Sequence, residues 1–143
     1  MSTRWAAPYL TIPYFPGGRG PAGCDCWGLV RLVYQEQRGI LLPAYSDVDG
    51  EDLRAIARAM LEGCDGRKAS PWVAAPAPWR AFDVVLMFGP DRSPGGGRLP
   101  VHCGVMVSPR LMLHTEADSA AVIVDLDDAT VASRRMGVWR HVG

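Results

Sequence analysis

The chain has 143 residues, about the length of one domain and enough to bury a hydrophobic core without disulfide or metal support. Its 15 basic and 15 acidic residues cancel, which argues against binding to nucleic acid or an anionic membrane through bulk electrostatics. No apolar run approaches the roughly 18 residues of a membrane span, and the N-terminus lacks the uninterrupted apolar segment of a secretory signal. We therefore expect a single domain over residues 1–143 that is synthesised in the cytoplasm.

The first half of the chain predicts a loop followed by two helices. Residues 1–22 are rich in Pro, Gly and aromatic side chains without helical or strand periodicity, which indicates an ordered loop. From Cys26 onward apolar residues recur at helical spacing, with Asp25 at the N-cap position and Gly39 at the end. The same criteria predict a short helix from about 50 to 62, followed by a Pro- and Trp-rich connector at 70–80.

The second half predicts a sheet. Apolar, β-rich runs occur at 82–88, 101–107, 111–116, 121–126 and 137–142. The segment 89–100, which contains three consecutive glycines, is predicted to be a mobile hairpin connection. Helices followed by consecutive strands predict an α+β domain in which the leading helix packs on an antiparallel sheet.

The cysteines are predicted to be reduced thiols, because four of them at irregular spacing do not form a disulfide framework. Cys26 falls in the first turn of the predicted helix, where free N–H groups and the helix dipole favour a thiolate. A nucleophilic thiol needs a base, and His102 and His114 lie on strands joined by a tight turn near Pro109. Residues whose numbers sum to 216–218 then face each other, which makes the two histidines cross-strand neighbours about 5 Å apart at Cβ.

This arrangement predicts a base and a residue that orients it. His102 accepts the thiol proton and later protonates the leaving amine, while His114 fixes the His102 ring and its tautomer. Gly104 is expected to leave the same strand face open for a substrate chain.

Zinc binding is the competing interpretation of these residue types. Structural zinc sites favour Cys-x(2 to 4)-Cys spacing, whereas Cys24 and Cys26 are separated by one residue. In addition, the adjacent His102 and Cys103 are expected to point to opposite faces of a strand. We predict neither a metal nor a cofactor.

Four motifs in chain order resemble those of the NlpC family of cell-wall cysteine peptidases, which have a papain-like fold. The first motif resembles the nucleophile region of the family and consists of Pro-Tyr-Phe-Pro-Gly-Gly at 13–18 together with Gly-Cys-Asp-Cys-Trp-Gly-Leu-Val at 23–30. Its Asp-Cys-Trp-Gly form is typical of bacteriophage-tail members. The resemblance continues with Asp-Val-Val-Leu at 83–86, His-Cys-Gly-Val at 102–105 and Leu-His at 113–114, a motif-bearing core of about 13–116. Phe82 replaces the usual Gly, and Cys103 adds a thiol beside the base, although neither is expected to touch the triad.

The resemblance assigns roles by position. Cys26 matches the nucleophile, His102 the general base and His114 the residue that orients the base. Tyr14 matches a tyrosine that lines the oxyanion site together with the Cys26 backbone N–H. Asp25 resembles a helix cap and a polar group on the substrate side.

The function implied is hydrolysis of amide bonds in peptidoglycan stem peptides, most often between D-γ-glutamyl and a diamino acid, through a thioester. With no export signal, the expected carrier is a phage-like tail or gene transfer agent, with tail-tip or hub proteins as partners. Trp5, Tyr9 and Trp139 are candidate exposed anchors for such partners. The alternatives are a structural tail plug or assembly protein that keeps the peptidase fold, and acyl transfer through the same chemistry.

Overall fold

The structure is a computed structural model that describes residues 3–44, 58, 70–88, 100–116 and 119–143. A 3₁₀ helix at Arg4–Thr11 precedes the short strands β1 (Arg19–Gly20) and β2 (Gly23–Cys24) and helix α1 (Cys26–Val33). The later strands are β3 (Trp72–Ala74), β4 (Val84–Phe88), β5 (Pro100–Met106), β6 (Leu111–His114), β7 (Val122–Asp125) and β8 (Arg135–His141), with a short helix at Ala129–Ala132 before β8. The predicted helix at 50–62, apart from Arg58, and the connection at 89–99 lie outside the described residues.

Among the described residues, six strands form one sheet in the order β3-β8-β4-β5-β6-β7, and every neighbouring pair is antiparallel. The last strand, β8, lies between β3 and β4 instead of beside β7, so the C-terminal segment is built into the sheet. The predicted α+β class, with a leading helix and an antiparallel sheet, is confirmed.

Helix α1 forms where the periodicity predicts it. Asp25 is its N-cap, since the carboxylate accepts a hydrogen bond from Gly28 N at 2.8 Å. The helix continues into a π-helical turn at Tyr34–Arg38 and ends at Gly39, whose φ of 64° is left-handed. All of its residues except Arg31 are buried, so the helix is held by packing on both sides rather than by one stripe.

The sheet separates two apolar clusters. One cluster contains α1 and the strand residues that alternate toward it, among them Val84, Leu86 and Val105. The other face carries Val85, Met87, Met106, Met112 and Val138, packed with Leu126 and partly buried Trp79 and Val131. The sheet is therefore covered on both faces. Cys26 lies at the N-terminal end of α1, which packs over β5.

Two elements differ from the sequence-based expectation. Strand β3 lies in the segment predicted to be a connector, because a three-residue strand with one buried and two exposed positions carries too little alternation to be recognised. The N-terminal segment predicted to be a loop contains the 3₁₀ helix, whose buried residues Ala6 and Tyr9 are three positions apart.

The proposed exposed anchors are wrong. Tyr9 and Trp139 are buried, and the Tyr9 hydroxyl donates to Glu36 at 2.8 Å. Trp5 is half-buried and stacks on Phe82 with ring centroids 4.8 Å apart. Tyr9 and Trp139 belong to the packed core, the first through the N-terminal 3₁₀ helix and the second through β8, and Trp5 packs against that core.

Within the described ranges, the structure contains no helix with the length and apolar character needed to cross a bilayer.

Candidate active site

Glycines bring the chain close together beneath the candidate nucleophile. A Cβ atom added to Gly28, two residues after Cys26 in the first turn of α1, would lie 2.1 Å from the Gly18 carbonyl oxygen. The Gly18 carbonyl accepts a hydrogen bond from Asp25 N at 3.3 Å. This close approach requires glycine at position 28 and fixes the N-terminus of α1 against the preceding turn.

Asp25 is buried and, besides capping α1, accepts hydrogen bonds from two residues that precede the helix. One carboxylate oxygen accepts from Gly28 N at 2.8 Å and from the Arg19 guanidinium at 2.7 Å, and the other accepts from Gly17 N at 3.2 Å. Its side chain is 3% exposed. These contacts hold the first turn of α1, and the role on the substrate side stays a prediction.

Cys26 is the first residue of α1 and is 9% exposed. Its sulfur has Cys103 and His102 as hydrogen-bond partners, including the Cys103 backbone. The hydrogen bond from Cys103 has the largest effect on the pKa of Cys26; together with the His102 contacts it outweighs burial and lowers this pKa. Cys26 therefore favours the thiolate form.

Cys103 contacts Cys26, the candidate nucleophile, contrary to the expectation from sequence. Donation to Cys26 and complete burial raise the pKa of Cys103 well above its usual range, so this thiol keeps its proton. Strand alternation predicted that His102 and Cys103 would be separated on opposite faces. Because Cys26 lies at the N-terminal end of α1, which packs over β5, it contacts both His102 and Cys103.

His102 and His114 are hydrogen-bonded, with His102 Nε2 2.7 Å from His114 Nδ1. The two rings are buried, with centroids 5.0 Å apart. Because Nε2 of His102 is directed at His114, Nδ1 is the nitrogen available to the Cys26 sulfur. The predicted proximity of the two histidines is confirmed.

The register lies at the upper end of the expected range of 216–218, so the two histidines are not directly opposite each other. Val105 faces Leu113 and Met106 faces Met112, so facing residue numbers sum to 218 and the two histidines are diagonal neighbours. A Cβ atom on Gly104 would lie 2.6 Å from Met112 Sδ and 3.1 Å from His114 Cβ. The expected open space at Gly104 is therefore filled by the protein's own side chains, and the missing side chain lets His114 approach His102.

His114 is neutral near pH 7. Burial, followed by the positive charge that His102 can carry, lowers its pKa to about 4. For Nδ1 to accept a hydrogen bond from a protonated His102, the His114 proton must be on Nε2, a tautomer that we assign from the hydrogen-bond pattern. His114 can thus orient His102, the candidate base, without competing for its proton.

Sequence reasoning missed two charged residues near these rings. Glu116 Oε1 lies 3.9 Å from His102 Nε2 and 3.7 Å from His114 Nδ1. Arg134 Nη1 lies 2.9 Å from the same oxygen. Glu116 follows His114 by two residues, and in an extended segment residues two apart point to the same face, which could have indicated that Glu116 lies near the ring. No local sequence feature indicated Arg134.

The ligand-type atoms of His102, His114 and Glu116 all lie within 4.8 Å of one another. The two ring nitrogens are closer than the separation of about 3.3 Å expected for two ligands of a tetrahedral zinc ion, and their distance is that of a hydrogen bond. The Glu116 oxygen already accepts a hydrogen bond from Arg134. The geometry favours a hydrogen-bonded group of side chains over a metal centre.

Tyr14 lies beside the segment that leads into α1. It forms a parallel bridge with Cys24, and its backbone N–H donates to Ser119 at 3.1 Å. Phe15 N donates to Cys24 O at 3.1 Å, so the Tyr14 segment and the residues before Cys26 are joined through the backbone. The role of its hydroxyl in an oxyanion site stays a prediction.

A thiol at the start of a buried helix, with a paired histidine on the adjoining antiparallel sheet, is the arrangement of the papain-like class. The chain belongs to the NlpC/P60 family, whose sequence profile matches residues 11–140. A search of curated proteins found no match.

Solved structures of this family share the fold. A lipoprotein-like NLP/P60 protein of Staphylococcus aureus Mu50 aligns over 96% of this chain and 39% of its own, with 20% identity and a TM-score of 0.60. An NlpC/P60 protein of Bacillus cereus ATCC 10987 aligns over 94% and 37%, with 21% identity and a TM-score of 0.62. The NlpC/p60 domain of the peptidoglycan hydrolase SagA aligns over 85% and 83%, with 23% identity and a TM-score of 0.52. The chain thus spans less than half the length of the first two proteins.

Proposed function

We propose that this protein is a cysteine peptidase that hydrolyses amide bonds in peptidoglycan stem peptides through a thioester intermediate. The observation that carries the proposal is the continuous contact from Cys26 to His102 and from His102 to His114. Membership of the NlpC/P60 family and the likeness to a domain of a peptidoglycan hydrolase support the substrate class.

In the proposed reaction the Cys26 thiolate attacks the carbonyl carbon, and the Cys26 sulfur–carbon bond forms as the amide is converted to a tetrahedral intermediate. The Cys26 backbone N–H and the Tyr14 hydroxyl stabilise the oxyanion. His102 gives its proton to the leaving amine as the carbon–nitrogen bond breaks. His102 then takes a proton from water as the water oxygen attacks the thioester carbon; the sulfur–carbon bond breaks, which releases the acid and restores the Cys26 thiolate, while His114 holds the ring.

The bond between D-γ-glutamyl and a diamino acid is the proposed target, on the strength of the family resemblance. The experiment is incubation of wild type and Cys26→Ser protein with peptidoglycan of the Gram-negative type, followed by mass spectrometry of released fragments. We expect cleavage by wild type alone, with fragment masses that place the cut after the γ-glutamyl residue. Absence of cleavage by correctly folded wild type, checked by circular dichroism, would contradict the proposal and favour a structural role.

We further propose that a phage-like tail delivers this activity to the wall of a recipient cell. The Asp-Cys-Trp-Gly form of the nucleophile motif at 25–28 supports this carrier. In a host that produces such particles, the protein is expected to copurify with them through density-gradient centrifugation. Recovery only in the fractions of free protein would contradict delivery by a tail and leave the peptidase proposal intact.

A further inference from the structure

Glu116 lies alongside the hydrogen bond between the two histidines. Its Oε1 atom is 3.9 Å from one of the bonded nitrogens and 3.7 Å from the other, at a position that the family motifs do not include. A carboxylate at this distance from both ends of the bond acts on the proton shared between them through its charge. Glu116 is 37% exposed at its side chain, so water reduces this effect without removing it.

Arg134 fixes the position of that carboxylate. Its Nη1 donates to Glu116 Oε1 at 2.9 Å, and its Nε donates to the Phe88 carbonyl at 3.0 Å. Phe88 N in turn donates to the Arg134 carbonyl at 2.7 Å, so the arginine is attached to the end of β4 through both its backbone and its side chain. The Arg134 side chain is 17% exposed. A long side chain held at both ends loses little further freedom when it binds the carboxylate.

These contacts produce a row of groups whose charges alternate in sign. Burial would raise the pKa of Glu116, but the Arg134 hydrogen bond and the positive charges of His102 and Arg134 lower it, so the carboxylate is ionised. When the proposed ion pair forms, a negative Cys26 is followed by a positive His102, the negative Glu116 and the positive Arg134. Each group lies next to one of opposite charge.

We propose that Glu116, held by Arg134, is a positioning residue that stabilises the protonated His102 ring of the thiolate–imidazolium pair. The inference rests on the proposed peptidase function and deepens it, because it assigns the groups that set the upper pH limit of the reaction. At that limit the imidazolium loses its proton and no longer supplies one to the leaving amine.

The other groups near His102 do not replace this carboxylate. Among the described residues, Cys26 faces it from α1, neutral His114 from β6 and apolar Met87 from its register position on β4. Farther toward α1, the charges of Asp25 and Arg19 compensate each other in an ion pair with an N–O distance of 2.7 Å.

This order of charges predicts opposite effects for substitutions of Glu116 and Arg134. Glu116→Gln keeps the shape and an acceptor for Arg134 but removes the negative charge, so the His102 ring loses its proton at a lower pH. Arg134→Gln leaves the negative charge without its compensating partner, so the ring keeps its proton to a higher pH. We expect each shift to be about one pH unit. A purely structural role of the pair predicts that both substitutions change activity in the same direction.

The experiment measures two quantities in wild type, Glu116→Gln and Arg134→Gln. One is the pH dependence of kcat/KM for wall-peptide hydrolysis, and the other is the titration midpoint of the His102 ring by NMR. Asp125→Asn is the matched control, because it removes a carboxylate from an exposed ion pair with Arg110, 2.8 Å apart, on β7. Arg134→Lys keeps the positive charge if Arg134→Gln fails to fold, and is expected to titrate like wild type.

The expected result is a basic limb and a ring midpoint that move down in Glu116→Gln, up in Arg134→Gln and not at all in Asp125→Asn. Shifts of the same sign in both variants, or an unchanged midpoint in folded Glu116→Gln, would overturn the proposal. If wild type does not cleave the substrate, the peptidase function fails, whereas the NMR titration still decides whether Glu116 stabilises the protonated ring.

Discussion

The environment of Cys26 combines a small exposed fraction with two hydrogen-bond partners. Full burial among apolar groups would keep the thiol protonated, but the bonds from Cys103 and His102 reverse that preference. Cys103 is thus a donor that the family motif does not contain. Its own raised pKa follows from the same bond, since a donor to a thiolate must retain its proton.

Replacement of Cys103 by Ala should raise the pKa of Cys26, because it removes the hydrogen bond with the largest lowering effect. We expect the acidic limb of the activity profile, and of Cys26 alkylation by iodoacetamide, to move up by about one pH unit. Cys103→Ser is the matched control, since its hydroxyl remains a donor. Identical alkylation profiles for the Ala variant and wild type, with the modified residue located by mass spectrometry, would show that the Cys103 bond does not set the pKa of Cys26.

The turn before β4 has a local conformation that explains one departure from the family pattern. Phe82, where the family usually has Gly, has a φ of 75°, which costs roughly 1–2 kcal/mol for a residue with a side chain. Its ring stacks on Trp5, and the Arg38 guanidinium lies 5.5 Å from the ring centroid. The Tyr34 hydroxyl donates to the Phe82 carbonyl. These contacts offset the backbone strain and attach the N-terminal 3₁₀ helix to the sheet.

The pairing of β5 with β6 depends on the missing side chain at Gly104. In Gly104→Ala the flexible Met112 side chain can move, but His114 must shift by a few tenths of an ångström because the new Cβ would lie 3.1 Å from its Cβ. We expect unfolding to become easier by roughly 1–3 kcal/mol and kcat to fall by at least about tenfold, since the orienting ring is displaced.

Gly20→Ala is the control for that substitution, because an added Cβ at position 20 meets nothing within 4 Å. Thermal unfolding and peptidoglycan hydrolysis are measured for both variants. Equal activity of the two would show that the space at Gly104 has no part in orienting His114.

At the scale of the whole molecule, ion pairs connect elements that are distant in sequence. Arg140 on β8 forms a two-point contact with buried Asp83 at the start of β4, at 2.8 and 2.7 Å. This pair fixes the position of the last strand beside β4. The Glu116–Arg134 pair similarly connects the end of β6 to the residue before β8.

The buried, neutral His114 makes the stability of the whole fold depend on pH. The unfolded chain binds a proton at this residue near pH 6.5, whereas the folded chain does so only near pH 4. The free energy of unfolding is therefore expected to fall by roughly 3 kcal/mol as the pH drops from 6.5 to 4, with no contribution from this residue above that range. Urea unfolding at several pH values measures the dependence.

His114→Gln keeps an acceptor for His102 but does not titrate, so its stability should fall less steeply over the same interval. The difference in unfolding free energy between wild type and variant is compared at pH 7 and pH 4. A constant difference across that interval would mean that His114 does not bind its proton differently in the folded and unfolded states.

The sequence by itself determined the features encoded over a few neighbouring residues. Helical periodicity and a capping carboxylate placed Cys26 at the start of α1, and the strand patterns around Pro109 brought His102 and His114 onto adjacent strands. These signals are local because a helix turn, a cap and a tight hairpin each depend on a few consecutive residues. The candidate nucleophile and base were therefore identifiable from the order of the amino acids alone.

Only the tertiary structure decided how those elements meet. The sequence left the register sum open between 216 and 218, and the structure selected 218. The sequence did not predict the insertion of β8 between β3 and β4, or the contacts of Cys103 with Cys26 and of Glu116 with Arg134. Each depends on the packing of segments separated by many residues, where a shift by two positions changes which side chains touch while the local pattern stays the same. The chain's local order thus identified the candidate reactive groups, and its long-range packing determined their charges and partners.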